Sequence, residues 1–517
     1  MGIKRYTAIH DNTLTNAYQS DLETRGTGSN MGLADSLEVF SIYGQESSSS
    51  YEISRVIAQF PVLTADATTT IQADRSSGVL PASGSVDFYL RCFNVKHTAT
   101  LPRNFTLVVS PVSQSWQEGQ GLDMEEYSDL TYDGTGSNWI NAAAHTVWTT
   151  GSTPSVTVTG GSYLRPSWNG ASGSAGGIRT YPTTYNEFNY KQTFGETGTG
   201  NIDLKITGLV EKWLAGDYSN YGIGIMLSQS QESGSQSYYT KKFSARSSEY
   251  FFSRPLIEAR WNSTRKDQRG SFYVSSSNLS ADDNKNTLFL YNYVRGQAKN
   301  LANVETGPIY VNVYTSSSQG ELISAAPNNP VTGGYVDIGI YSASFALDTS
   351  ASLTFDRWFS GSSGSAITTA GAKIYHTGTF IPKNFNSSNI YSIPRYVTTI
   401  TNLQSEYYNQ GDARFRLFTR LKDWSPTIYT VASKQIENDI VDDAYFKISR
   451  MIDEKDVIAY GTGSLNHTRL SYDVTGSYFD LNMEMLEIGY AYEIKFVYYI
   501  NGAYQEQPEV FKFRVIE

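Results

Sequence analysis

The chain has 517 residues, of which 39% are hydrophobic, 17% charged and 14% aromatic, with 38 tyrosines and a single cysteine. That charge content is well under the roughly 25% of an average soluble domain, and Gly, Ser, Thr and Tyr fill the gap, so predominantly helical architectures are disfavoured. Forty basic against 50 acidic side chains leave a formal charge of -10. No segment gathers Lys and Arg into a stripe that follows a phosphate backbone, which argues against nucleic acid as a partner.

The N-terminal Met-Gly-Ile-Lys-Arg-Tyr-Thr has no apolar export core, and Tyr6 stands where a myristoylation signal needs Ser or Thr. Nowhere do about 18 apolar residues run together, so no membrane span is expected. Alternating segments predict half-buried strands at Leu37-Glu-Val-Phe-Ser-Ile-Tyr, Val86-Asp-Phe-Tyr-Leu, Phe105-Thr-Leu-Val-Val and Ser155-Val-Thr-Val-Thr. Cys92 follows the apolar Phe88-Tyr-Leu-Arg run and reads as a packed strand residue. The Gly/Ser-rich tract 168–177 reads as a surface loop within a sandwich.

Helical spacing interrupts this pattern once. Ile206, Leu209, Val210, Trp213 and Leu214 fall on one face, with Thr207 as the predicted N-cap and Gly216 as the predicted C-terminal stop. Trp213 in that stripe is expected in the core. The polar, mixed-charge run after Trp261, 262–270, is taken as the first domain boundary. Two strand-rich blocks follow, 272–385 and 386–517, each the size of an immunoglobulin-like sandwich, with the second boundary near Pro382 to Asn389. In the last block, Leu486-x-x-Gly489-x-x-Tyr492 resembles the entry to a late strand of a fibronectin type III sandwich, where the tyrosine hydroxyl returns to nearby backbone.

Chemistry-bearing patterns are sparse. His10, His97, His145, His376 and His467 are scattered, no His-Glu-x-x-His pair occurs, and one cysteine cannot build a zinc site with a second. No nucleophile elbow, Walker loop or strand-linked Gly-x-Gly-x-x-Gly is present. No catalytic, cofactor-binding or metal-binding residue is therefore assigned, and a non-enzyme is expected. The acidic tract 118–133, with Glu118, Asp123, Glu125, Glu126, Asp129 and Asp133 around Tyr127 and Tyr132, supplies oxygen ligands of the kind calcium takes; its spacing matches no EF-hand loop, so a solvated loop is the favoured reading. Two aromatic clusters stand out: Tyr181, Tyr185, Phe188 and Tyr190, then Tyr238, Tyr239, Tyr250, Phe251 and Phe252. Core or interface is the expected place for both, with sugar stacking as the alternative.

An ordered series of segments in residues about 5 to 262 resembles the DNRLRE family of jelly-roll modules. These are Asp11-Asn-Thr-Leu, Arg55-Val-Ile-Ala-Gln-Phe, Val108-Val-Ser-Pro-Val-Ser-Gln-Ser-Trp-Gln-Glu-Gly, Ser137-Asn-Trp, Ile202-Asp-Leu-Lys-Ile-Thr-Gly-Leu-Val-Glu-Lys-Trp-Leu-Ala-Gly and Asn220-Tyr-Gly-Ile-Gly-Ile-Met-Leu. The chain departs from that family at Asn12-Thr-Leu-Thr-Asn-Ala and in an insertion-like tract from Glu118 to Tyr132. The whole layout also resembles virion structural proteins of marine tailed bacteriophages. The segments that carry this second likeness include Thr24-Arg-Gly-Thr-Gly-Ser-Asn-Met-Gly, Asn402-Leu-Gln-Ser-Glu-Tyr, Ala413-Arg-Phe-Arg-Leu-Phe, Thr427-Ile-Tyr-Thr-Val-Ala, Tyr460-Gly-Thr-Gly-Ser, Leu470-Ser-Tyr-Asp-Val-Thr-Gly-Ser-Tyr-Phe-Asp and Phe511-Lys-Phe-Arg-Val.

The fold expectation is all-β: a jelly-roll type sandwich over 1–262, followed by immunoglobulin- or fibronectin-like sandwiches over 272–385 and 386–517. The resemblances imply a virion component, placed in tail, baseplate, neck or capsid and assembled in the host cytoplasm, whose partners are its own copies and other virion proteins. The rival expectation is a glycan- or receptor-binding protein that uses its first domain. No cofactor is expected in either case.

Overall fold

The computed structural model describes residues 2–97, 104–122, 136–149, 156–165, 178–180, 190–195, 197–317, 320–349, 353–361, 372–384, 394–424, 427–428 and 438–517. The chain divides into two compact units, Gly2–Asn262 and Ser263–Glu517. Both are built from mainly antiparallel β-sheets packed face to face. Among the described residues no helix is long and apolar enough to cross a membrane.

In the first unit, alternation sets which side chains face inward. The strand Asp87–Cys92 buries Phe88, Leu90 and Cys92 and turns Asp87, Tyr89 and Arg91 outward. Its sheet has the order Ile3–Thr7, Leu256–Arg260, Asp87–Cys92, Ile202–Lys205. The facing sheet runs Tyr190–Phe194, Phe105–Pro111, Ile223–Leu227, Tyr51–Gln59, then Ser36–Tyr43 and Tyr238–Ser244, with His10–Thr15 also paired to Tyr51–Gln59. Leaving out those last three, the pairs nest as a rolled-up hairpin. Ile3–Thr7 lies beside Leu256–Arg260, Tyr51–Gln59 beside Ile223–Leu227, Asp87–Cys92 beside Ile202–Lys205, and Phe105–Pro111 beside Tyr190–Phe194. That nesting is the jelly-roll wrap, which makes the first unit a jelly-roll sandwich.

The core between the sheets joins Val56, Phe88, Leu90, Val109, Ile225, Phe243 and Ile257. The helix Thr207–Ala215 closes one end of it, with Leu209, Val210 and Trp213 fully buried. Each such side chain contributes about 1.5–3 kcal/mol by leaving water. Gly216 ends the helix in the left-handed conformation (φ 78°), as its position after the apolar stripe predicts. Thr207 is not the cap. It is the first helical residue, and its hydroxyl accepts the Phe88 N–H at 2.9 Å, tying the helix to the sheet instead. Cys92 is buried in the core, as expected, and burial pushes its thiol pKa up, which removes thiolate reactivity at neutral pH.

The outer face of the larger sheet is also covered. Trp139, Ala142, Trp148 and Tyr163, all from the long excursion after Pro111, pack on Leu14, Ile53, Ile57 and Met226 as a second apolar cluster. The strand predicted at Ser155-Val-Thr-Val-Thr does not form in this layer: over 156–159 the pairing reduces to a bridge between Thr149 and Thr157, and Val156 is exposed. The Gly/Ser-rich tract 168–177 lies outside the described residues.

In the second unit, one sheet path runs Asn286–Tyr291, Ile340–Leu347, Val331–Asp337, Ile309–Tyr314, Thr354–Ser360, Lys373–Phe380, a Greek-key order. The strand Val331–Asp337 changes partner midway: Gly333 pairs with Ile309, whereas Gly334 pairs with Ser342. A Cβ on Gly333 would stand 2.4 Å from the Ser342 carbonyl oxygen, so the crossover requires glycine. The resulting sandwich encloses Leu288, Val311, Tyr341, Phe345, Trp358 and Phe380.

The last sandwich sets Tyr396–Ile400, Asp412–Leu421, Gly476–Asn482 and Ser471–Asp473 against Glu406–Tyr408, Phe511–Ile516, Ala491–Ile500, Ala444–Arg450 and Lys455–Ile458. This order is that of an immunoglobulin sandwich, including a parallel first-to-last strand pair between Glu406–Tyr408 and Phe511–Ile516. Phe446 on one sheet stacks on Phe479 of the other, with ring centroids 4.2 Å apart. The tyrosine corner forms as its sequence signature predicts: Tyr492 Oη donates to the Glu487 carbonyl at 2.8 Å and accepts the Glu487 N–H at 2.9 Å.

The polar run 263–270 is a strap shared by both sandwiches of this unit. The Tyr472 N–H donates to the Arg265 carbonyl at 2.9 Å, and the Asp267 N–H donates to the Tyr472 carbonyl at 3.1 Å, which fastens the strap to the last sandwich. On the other side Arg269 forks onto the buried Asp356 at 2.6 and 2.8 Å, and Arg265 pairs with Asp337. The second boundary expected near Pro382 to Asn389 falls largely in 385–393, outside the described residues.

Candidate functional site

One group of titratable side chains in the first unit sits on the outer face of its larger sheet. His10 and Asp11 open the strand His10–Thr15, Arg246 follows Tyr238–Ser244, and Glu118 arrives on the covering segment. Arg246 donates Nε and Nη2 to the two Glu118 oxygens at 2.9 and 2.8 Å, and the Asp11 N–H donates to the same carboxylate at 2.9 Å. His10 Nδ1 lies 3.3 Å from Glu118 Oε2, while its ring meets Trp116 edge-on at 6.3 Å.

The segment carrying Glu118 is placed by backbone contact as much as by charge. Asn30 Nδ2 donates to the carbonyls of Glu118 and Ser137 at 2.8 and 2.7 Å, and its Oδ1 accepts the Gly121 N–H at 2.8 Å. A Cβ at Gly121 would come within 1.8 Å of the Asn30 carbonyl oxygen, so only glycine permits this approach.

The two carboxyl groups are driven apart in acidity. Burial pushes the Glu118 pKa up, but hydrogen bonds from His10 and Arg246 outweigh it and hold the group below its usual range. Asp11 is fully buried; desolvation drives its pKa up to about 7, against the Arg246 N–H that donates to Oδ2 at 2.5 Å. Its Oδ1 is buried without a hydrogen-bond partner among the described residues. Chemically, this is a latch: Arg246 occupies the lone pairs that a hard cation would take from Glu118. The remainder of the acidic tract, Asp123, Glu125, Glu126, Asp129 and Asp133, lies outside the described residues, and no metal-binding cluster occurs among those described.

A second ionic centre lies deeper. Arg55 is fully buried in the strand Tyr51–Gln59, forks onto Glu232 at 3.0 and 2.7 Å and donates to the Gly160 carbonyl at 2.9 Å. Its guanidinium stands 5.4 Å from the Trp139 ring and 5.9 Å from the Tyr163 ring. Two of these bonds hold Glu232 and the third fastens Gly160 of the covering layer to the sheet. In the second unit, a cleft of about 50 Å³ beside the strap is lined by Arg265, His467, Arg469, Tyr478 and Asp480. That is room for a few waters, far below the roughly 300–1,000 Å³ of small-molecule sites. Its charges are already matched, Arg469 with Asp443 and Asp480 with Arg414.

The five histidines remain dispersed in the fold. Of the aromatic clusters, Tyr181, Tyr185 and Phe188 lie outside the described residues, while Tyr190 packs on the core and its hydroxyl accepts the Leu209 N–H at 3.0 Å. Tyr238 packs on the core and Phe252 is buried, but Tyr250 and Phe251 are 64% and 39% exposed. Sequence reasoning did not single out Arg246, Glu232 or Arg55 as site residues. The available signal was Arg55 itself, an arginine inside an otherwise apolar strand, which demands a buried partner.

No protein-family model and no curated protein matches the chain. Among solved structures, one match is the Dpr2 Ig1-Ig2 complex with DIP-Theta Ig1-Ig3, at 8% identity and a TM-score of 0.12, covering 50% of this chain and 64% of that one. Another is the native conformation of E. coli alpha-2-macroglobulin, at 9% identity and a TM-score of 0.15, covering 83% of this chain and 20% of that one. The chain thus spans less than two thirds of either structure's own length. Similarity at this level carries no functional argument, and the class of protein rests on the strand order: an all-β chain of one jelly-roll and two immunoglobulin-like sandwiches.

Proposed function

We propose that the chain is a non-enzymatic structural component of a tailed-phage virion, acting through interfaces with its own copies and with other virion proteins. The observation that carries this reading is where large apolar side chains stay exposed in the second unit. They sit on hairpins and sheet edges: Tyr293 and Val294 at 53% and 47%, Ile374 at 48%, Tyr408 at 68% and Tyr504 at 49%. Among the described residues, Lys373–Phe380 and Glu406–Tyr408 each end a sheet and pair along one side, to Thr354–Ser360 and Phe511–Ile516. Open edges with exposed aromatics are what subunit packing covers. The virion assignment itself rests on the ordered segments that resemble phage structural proteins.

The rival reading, a glycan-binding role for the jelly-roll unit, is favoured by the exposed rings of Tyr250 and Phe251, which offer faces for sugar stacking. Light scattering and electron microscopy of the purified chain, run beside a glycan array, separate the two. A stable ring or trimer without glycan affinity supports the structural reading. A monomer that binds a defined polysaccharide overturns it.

A further inference from the structure

Three segments converge at one edge of the jelly-roll unit. Lys241 lies in Tyr238–Ser244 of the larger sheet, Asn94 follows Asp87–Cys92 of the smaller sheet, and Gly198 to Gly200 belong to the connection between Tyr190–Phe194 and Ile202–Lys205. Lys241 is 2% exposed. Its Nζ contacts Asn94 Oδ1 and lies 2.5 and 2.7 Å from the Gly198 and Gly200 carbonyl oxygens. The rings of Phe194 and Phe243 flank Nζ at 5.1 and 5.2 Å. An isolated bridge between Asn94 and Phe243 holds the two sheets together at this point.

We propose that Lys241 and Asn94 join in an intramolecular isopeptide bond, a covalent clasp between the two sheets of the sandwich. A neutral lysine amine has two hydrogens and one lone pair. The Gly198 and Gly200 carbonyls are placed to accept two hydrogens, and Asn94 Oδ1 touches the same nitrogen, so the carboxamide carbon Cγ is the electrophile beside Nζ once the amine is neutral. The apolar walls favour the uncharged, nucleophilic amine, and burial brings the Lys241 pKa down to about 8. In the reaction Nζ attacks Cγ of Asn94 and forms the new C–N bond. One proton passes from Nζ to Nδ2, the Cγ–Nδ2 bond breaks, and ammonia leaves, so no oxidant or cofactor is consumed. Holding both groups in contact supplies the proximity that such an acyl transfer needs.

Intact-mass spectrometry of the full chain under denaturing conditions tests the clasp, after incubation at about pH 9, where a lysine of this basicity is mostly neutral. The wild-type chain is expected to be lighter than its sequence by one ammonia, and its tryptic digest to contain a branched peptide joining Lys241 to the Asn94 segment. Lys241→Met and Asn94→Ala are expected to keep the full sequence mass. The wild-type measurement decides even where a variant fails to fold: a chain at full sequence mass with no branched peptide overturns the proposal. The clasp is independent of the virion reading, and either can fail without the other.

Discussion

A guanidinium as deeply buried as that of Arg55 is tolerable only while Glu232 faces it, because an unpaired charge beneath the covering layer has no water to turn to. Glu232→Ala is expected to cost about 3–5 kcal/mol in urea unfolding of the chain, whereas Arg55→Met combined with Glu232→Leu is expected to recover most of that loss. Asp11 couples stability to pH. Its folded pKa of about 7 lies above the ordinary aspartate value of 3.8, so the folded chain binds the extra proton. Its contribution to stability is therefore present at low pH and is lost as pH rises from about 4 to about 7. Asp11→Asn is expected to flatten that segment of the stability profile, measured by denaturant midpoints across pH. An unchanged slope would show that the Asp11 carboxyl is not the group responsible.

At the scale of elements, the strap 263–270 holds the two sandwiches of the second unit through charges of unequal burial. Asp356, the partner of Arg269, is fully buried, whereas Asp337, the partner of Arg265, is 49% exposed. Arg269→Ala is accordingly expected to destabilise the unit by about 3–5 kcal/mol and Arg265→Ala by no more than about 1 kcal/mol, both read from denaturant unfolding. Gly222 marks a second element-level constraint. Its φ is +83°, and a Cβ there would stand 2.1 Å from the Ala58 carbonyl oxygen, so Gly222→Ala is expected to lower stability by at least about 1 kcal/mol. Much of this level was legible in advance. Alternation placed the strands around Leu37, Phe88 and Phe105, the apolar stripe placed the helix at Trp213, and Leu486 to Tyr492 announced the corner. What was not legible depends on contacts distant in sequence. Thr207 caps nothing because Phe88 claims its hydroxyl, and the mixed-charge run 263–270 looks like a free linker until Asp356 and Tyr472 are brought to it. The Glu118 latch was hidden for the same reason, since Arg246 lies far along the chain.

At the scale of the whole molecule, few charges and many tyrosines acquire a physical setting. Buried ionic groups are paired at the fastenings described above, and in the second unit exposed tyrosines such as Tyr293, Tyr408 and Tyr504 sit on hairpins and sheet edges. That distribution suits a chain whose surfaces are completed by neighbours, as the virion proposal requires. Mass spectrometry of gradient-purified particles, from a culture that produces this chain, tests the proposal most directly. The chain is expected to co-sediment with the particles at a stoichiometry set by particle symmetry and to stay bound through high-salt washing, as apolar interfaces do. Particles that lack the chain, with the protein recovered only in the soluble fraction, would contradict a structural role.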